Sequence, residues 1–193
     1  MKWKWPLQRR EFELGDTTVA LDVVADPDAV LDAAVEAERD GEPATLPYWA
    51  SVWPSGIALA RWALANVRPG QSVLDLGCGM GLVGAAAAKA GGVVTVADIE
   101  PDAVELAAHN TGGRGLVMDF TDPPTDETFD WILGGDVLYE REIAEALAKF
   151  IERHGGRAVL ADPHRQSAEA FLAVCACDVQ PVSDNVRLIH IDM

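Results

Sequence analysis

Cysteine is scarce. Cys78, Cys175 and Cys177 are too few for a disulfide framework, and Cys175 and Cys177 are too close for an ordinary bridge. That shortage points to a reducing compartment, and a cytoplasmic location is expected. Basic residues are the second shortage: 15 Lys and Arg stand against 31 Asp and Glu, for a net charge of −16. Such a balance repels phosphate backbones, so a broad nucleic-acid surface is not expected. Long apolar runs are missing too. The most apolar stretch, Leu82 to Ala88, stops at Lys89 and is far too short to cross a bilayer. No apolar stretch of signal-peptide length follows Met1-Lys2-Trp3-Lys4-Trp5-Pro6, and no membrane partner is expected. His109, His154, His164 and His190 show no ligand spacing with cysteines or carboxylates, so no metal is expected. What is present, 193 residues of which 49% are hydrophobic and 24% charged, suits a globular chain of ordinary domain size.

The first half-dozen residues read as a loose arm that packs or frays. Glu11 to Leu14 and Thr18 to Val23 alternate around Gly15-Asp16, which predicts a β-hairpin. Asp26-Pro27 starts a helix to about Glu38, Arg39 to Pro47 is a polar loop, and a second helix follows Trp53-Pro54 to near Asn66. From Gln71 onward strands and helices alternate. Strands are expected at Ser72–Leu76, Val93–Ala97, Gly115–Met118, Phe129–Leu133 and Arg157–Ala161. Helices are expected at Leu82–Ala90, Pro101–His109, Glu140–Arg153 and Gln166 to about Cys175. Asp178–Val182 and Val186–Ile191 would close the sheet as an antiparallel pair. This is an α/β pattern of right-handed crossovers: a mostly parallel sheet with helices on both faces. The expected division is 1–47, an arm, hairpin and helix packed on the core, and 48–193, the main domain.

The most informative segment is Asp75-Leu76-Gly77-Cys78-Gly79-Met80-Gly81, between a strand and a helix. Its glycines let the chain turn sharply and let a ligand lie against bare backbone, at the carboxyl edge of a parallel sheet where ligands bind. Gly79-x-Gly81-x-x-Gly84 formally satisfies a dinucleotide fingerprint, which leaves a nicotinamide-dependent oxidoreductase open. Asp75 argues against it, because a carboxylate before the loop suits a ligand carrying an ammonium group and gains a pyrophosphate nothing. A phosphate-cradling loop is excluded, since Ala85 follows Gly84 where a lysine would be required. Asp98 ends the next strand, 21 residues beyond Gly77, where a carboxylate can accept both hydroxyls of a ribose. Asp119 and Phe120 end the third, where one could accept from an adenine amino group and the other stack on its ring.

This arrangement resembles the seven-β-strand (class I) S-adenosylmethionine-dependent methyltransferases, over about residues 48 to 193. The resemblance implies a Rossmann-like seven-stranded sheet of order 3-2-1-4-5-7-6 with the last strand antiparallel. It implies S-adenosylmethionine as cofactor and S-adenosylhomocysteine as product. Cofactor contacts are implied for Trp53, Asp75, Gly77, Cys78, Gly79, Asp98, Ile99, Asp119, Phe120 and Gly135.

Two further segments narrow the acceptor. Pro47-Tyr48-Trp49-Ala50 with Trp53-Pro54-Ser55-Gly56, and Gly135-Asp136-Val137-Leu138-Tyr139, resemble the methyltransferase family 16 group, whose known members are largely protein-lysine methyltransferases. Ala161-Asp162-Pro163-His164-Arg165 resembles a Gly-Asp-Pro-Gly-Arg segment of that group, from which Ala161 and His164 depart. The implied partner is a protein presenting a lysine, with Asp136 and Tyr139 facing the acceptor, Tyr139 at a helix start on the same face as Asp136. Methyl transfer to a small amine or hydroxyl compound is the alternative, and a binding module without chemistry is a third. A monomer is the expected state.

Overall fold

A computed structural model describes residues 3–41 and 46–192. The chain begins with a hairpin of β1 (Leu7–Leu14) and β2 (Thr17–Val24), turning at Gly15 with φ 73°. Helix α1 (Pro27–Arg39) starts at Asp26, whose carboxylate accepts from the Ala29 N–H at 3.2 Å. Part of the expected polar loop, residues 42–45, lies outside the described residues, as do Met1, Lys2 and Met193. A short 3-10 turn, Tyr48–Ala50, leads into α2 (Pro54–Asn66). The alternating part follows as β3 (Ser72–Leu76), α3 (Leu82–Lys89), β4 (Val93–Asp98), α4 (Pro101–Thr111), β5 (Arg114–Val117), β6 (Trp131–Gly135), α5 (Ala144–His154), β7 (Arg157–Asp162), α6 (Ala168–Val174), β8 (Cys177–Ser183) and β9 (Val186–Asp192).

The large sheet has the order β5-β4-β3-β6-β7-β9-β8, which is 3-2-1-4-5-7-6 when β3 is counted as the first core strand. All its pairings are parallel except those of β9, which runs antiparallel to both β7 and β8. The alternation of side chains along each strand splits the core in two. Val73, Val96, Leu133 and Val159 face α2, α3 and the hairpin, whereas Leu74, Ile132, Leu160 and Ile189 face α5 and α6. This parity also fixes Asp75, which shares the face of Val73 and therefore lies under α3. Among the described residues, no helix is long and apolar enough to cross a membrane.

Of the two outcomes expected for the arm, packing and fraying, residues 3–5 show packing. Trp3 meets the His109 ring edge-on at 5.3 Å, Trp5 is half-buried against the first core, and Lys4 lies 3.7 Å from Asp102. The hairpin is held by Asn110 on α4. Its side-chain oxygen accepts from the Asp22 N–H, and its amide group donates to the carbonyls of Asp22 and Met80, each at 2.9 Å. One α4 residue thus ties the hairpin to the glycine loop. Helices α5 and α6 are shorter than expected at their starts, Ala144 against Glu140 and Ala168 against Gln166.

Candidate active site

The glycine loop leaves β3 at the carboxyl edge of the sheet with Gly77, Gly79 and Gly81 all at positive φ, 64°, 50° and 84°. The close approaches are to protein as well as to open cleft. A Cβ on Gly77 would lie 2.8 Å from Val137 Cγ1, and one on Gly81 would lie 2.9 Å from the Ala107 backbone. At Gly79 the neighbour is the Trp49 carbonyl oxygen, 3.2 Å away, so the Tyr48–Ala50 turn lies against the loop. Gly77 itself is exposed, whereas Cys78 is buried, its thiol pushed well up by that burial and unsuited to act as a nucleophile.

Asp98 links this loop to the next one. Its Oδ2 accepts from the Gly79 N–H at 3.0 Å and its Oδ1 from the Glu100 N–H at 3.1 Å. Burial raises its pKa, and the two backbone donors oppose that rise. Ile99, beside it, is exposed. Asp75 is turned inward. It is 1% exposed, and its Oδ2 accepts from the Gly84 N–H at 2.7 Å. Helix α3 begins at Gly81, which has no side chain to cap it, so Asp75 supplies the acceptor from the strand below. Burial raises its pKa to about 7. The carboxylate expected to face a ligand is spent on the helix start.

The third-strand pair separates. Asp119 Oδ1 accepts from the Thr121 N–H and hydroxyl, at 2.8 and 2.7 Å, in a local turn that leaves Asp119 exposed. Phe120 points the other way, edge-on to Phe150 at 6.2 Å, lining a cleft of about 360 Å³ with Glu142, Lys149 and His154. Trp53 is 40% exposed at the start of α2, where its Nε1–H donates to the Tyr48 carbonyl at 3.1 Å. Gly135, at the end of β6, lies beneath the first turn of α2; its Cβ would be 3.3 Å from Gly56 Cα.

Beyond β6 the site changes character. Asp136 has φ 61°, its N–H donates to the Ala161 carbonyl at 2.8 Å, and both its carboxylate oxygens accept from Arg165, at 2.6 Å from Nε and 3.0 Å from Nη2. The sequence reading has Asp136 facing an acceptor; the structure adds a two-pronged ion pair with Arg165 that the reading did not include. Tyr139 is exposed in an extended loop, and α5 begins only at Ala144, which removes the helical reason for its sharing a face with Asp136. The cause is the buried Leu138, whose carbonyl accepts from the Ser167 hydroxyl at 2.5 Å and anchors the loop to the neighbourhood of α6. Burial raises the Tyr139 pKa, and the negative charges of Glu140, Asp98 and Asp119 add to the rise.

Three residues that the sequence reading did not select complete this half. Asp162, 1% exposed at the end of β7, accepts from the Arg187 Nε–H at 2.8 Å and from the Arg165 N–H at 3.2 Å. Arg187 also donates to Glu169 at 3.0 Å. His164, between Asp162 and Arg165, has φ 60°, the conformation in which glycine is cheapest, which fits the glycine in the segment it resembles. Asp and His are among the side chains that tolerate that region best. Asp162 and Arg165 had a signal in their segment; Arg187, 25 residues away, had none. Among the described residues, no group of three or more His, Cys, Asp or Glu could hold a metal.

Comparison with known proteins places this geometry. Residues 73–155 match the family described as a methyltransferase domain. The chain is 36% identical over 135 residues to the electron transfer flavoprotein beta subunit lysine methyltransferase of Danio rerio, covering 64% of this chain and 52% of that protein. It is 32% identical over 119 residues to the ribosomal protein L11 methyltransferase of Cupriavidus metallidurans, covering 60% of this chain and 39% of that protein. The chain therefore spans about half or less of the length of these relatives. In fold it is similar to the T. thermophilus 16S rRNA N2 G1207 methyltransferase, with a TM-score of 0.67, 18% identity, and coverage of 97% of this chain and 51% of that one. It is also similar to a TehB-like SAM-dependent methyltransferase of Corynebacterium glutamicum, with a TM-score of 0.60, 19% identity, and coverage of 86% and 97%. With the glycine loop at the end of β3, Asp98 bound to it, and the strand order 3-2-1-4-5-7-6, the chain carries a methyltransferase domain in residues 73–155 and has the fold of S-adenosylmethionine-dependent methyltransferases.

Proposed function

We propose that the chain transfers a methyl group from S-adenosylmethionine to a lysine side chain of a protein. The observation that carries this reading is Asp136. It directly follows β6 beside the glycine loop, its neighbour Val137 packed close to Gly77, in a segment resembling that of lysine methyltransferases. The match to the flavoprotein lysine methyltransferase supports the same acceptor, and a net charge of −16 favours a basic partner surface. Exposed Tyr48, Trp53, Ile99 and Tyr139 offer apolar surface to the stem of a lysine and to a docking protein.

The residues present fit the cofactor. Gly77 and Gly79 would give bare backbone to the methionine portion, Asp98 beside them would accept from the ribose, and the exposed Asp119 would accept from the adenine amino group. Trp53, at the start of α2, would wall the site. When bound, the cofactor supplies an electrophilic methyl group on a sulfonium. The chain's own task is to present a neutral amine to it. A free lysine has a pKa near 10.4, so shedding its proton at pH 7 costs about 4.6 kcal/mol. Asp136 draws in the ammonium and orients the amine for attack, and the proton leaves to solvent.

The test mixes the protein with methyl-labelled S-adenosylmethionine and, separately, the electron transfer flavoprotein beta subunit, ribosomal protein L11 and a cell lysate. Mass spectrometry then locates the label. A methylated lysine supports the reading. Label on another residue type, or only in small molecules, overturns the lysine assignment and leaves the methyltransferase.

A further inference from the structure

The pairing of Asp136 with Arg165 poses a chemical question. A bare carboxylate beside a lysine holds it as ammonium, which cannot attack, because an opposite charge within about 4–6 Å raises an amine's pKa by about 1–3 units. We propose that Arg165 is a positioning residue that cancels the charge of Asp136, so that Asp136 orients the lysine amine without retaining its proton. This rests on the lysine reading above.

The construction around Arg165 supports that role. Half-exposed ion pairs add little to stability, and the Arg165 side chain is 38% exposed against 9% for Asp136. Yet the chain holds two non-glycine residues, Asp136 and His164, at positive φ to bring the pair together. Such conformations cost about 1–3 kcal/mol each and persist where the surroundings impose them. The Arg165 backbone is anchored on Asp162, which Arg187 holds in place from β9. The two-pronged contact fixes both oxygens, which leaves Asp136 directional as an acceptor but neutral in sum with its partner. The surrounding charged and titratable groups are Asp162 and Tyr48, which act on Arg165 electrostatically, Arg187 and Glu169 behind Asp162, and Tyr139 on the open side. Arg187 is committed to Asp162 and Glu169, so among the described residues Arg165 is the cation paired with Asp136.

The experiment measures turnover from pH 6.5 to 10 for the parent, Arg165→Gln, Arg165→Lys, Asp136→Asn, and Arg165→Gln combined with Asp136→Asn. The acceptors are poly-L-lysine and the flavoprotein beta subunit, and thermal unfolding checks each fold. Uncovering Asp136 raises the pKa of the bound amine, so Arg165→Gln moves the midpoint of the rising limb upward by about one unit. That shift corresponds to about tenfold slower turnover at neutral pH. Arg165→Lys, which keeps the charge and loses the fork, keeps the parental midpoint at lower turnover. In the Asp136→Asn background, Arg165→Gln leaves the midpoint in place, because the charge to be cancelled is gone. An unmoved midpoint in the single Gln variant, or the same shift with Asp136 removed, overturns the proposal while the lysine reading stands. A parent that methylates neither acceptor overturns the lysine reading and this proposal with it. Should Arg165→Gln fail to fold, a shifted midpoint in Arg165→Lys would overturn the role of charge.

Discussion

The two halves of the cleft use carboxylates in opposite ways. On the glycine-loop side, Asp75 and Asp98 accept from backbone N–H groups, of Gly84 in one case and of Gly79 and Glu100 in the other. On the far side, Asp136 and Asp162 accept chiefly from arginine side chains. The backbone differs in parallel. Positive φ falls on Gly77, Gly79 and Gly81 in the first half, and on Asp136 and His164 in the second. The first half is therefore cheap to form and assembled from groups close in sequence. The second holds strained backbone in place with long-range ion pairs. That contrast fits the two tasks proposed above: a cofactor common to a family needs a standard cradle, whereas an acceptor needs charges placed for one chemistry.

Breaking the far half should cost most in stability. Arg187→Met leaves Asp162 buried without its cation, and removing one partner of such a pair costs about 3–5 kcal/mol. Urea unfolding of parent and variant measures it. A loss below about 1 kcal/mol would show that the far half does not depend on its ion pairs and would dissolve the contrast.

The near half should lose binding before it loses fold. Asp98→Ala removes a carboxylate placed to accept two ribose hydroxyls, which should weaken S-adenosylhomocysteine by about 2–4 kcal/mol in calorimetry. The variant also frees the Gly79 and Glu100 N–H groups, but these lie at a partly open edge where water can replace the acceptor. Unchanged affinity would remove Asp98 from the cofactor site.

The finest distinction is in pH. The folded-state pKa of Asp75, about 7, lies above its unfolded value, so the folded protein keeps a proton that the unfolded chain has released. The stability this group contributes is full below the unfolded pKa and is lost as pH rises toward the folded one. Between pH 5 and pH 7 the parent should lose about 2–3 kcal/mol through this residue, at about 1.36 kcal/mol per unit. Asp75→Asn keeps an oxygen for Gly84 and has nothing to titrate, so its stability should fall less over the same range. Parallel stability-pH curves for the two proteins would mean that Asp75 ionises without cost and is not the dry helix cap described here.

Much of this was legible before any coordinates. Strand β3 and the bounds of α2 follow directly from apolar spacing and from Pro54, and the sheet order follows once the glycine loop and Asp98 are matched to their family. The gaps and misreadings have physical causes. For Trp3 and Trp5 the sequence left packing and fraying open because nothing within a few residues could cover them; α4, a hundred residues on, supplies the cover. Asp75 looked aimed at a ligand because its place in the motif says nothing of which sheet face it occupies, and strand parity sends it under α3. Tyr139 looked helical because Glu140 to Arg153 is amphipathic, but Leu138 is anchored to Ser167, and a bend and turn over 141–143 delay the helix to Ala144.

Glycine freedom, proline at helix starts and apolar periodicity are local properties, so the sequence by itself determined the alternation of strands and helices, the position of the glycine loop and Asp98 at the next strand end, while the strand order came from the family that those motifs resemble. The pairings of Asp136 with Arg165 and of Asp162 with Arg187 span 29 and 25 residues and join separate strand ends. Only the tertiary structure decided those, because an ion pair depends on where two chain segments meet in space, and no local pattern encodes that meeting.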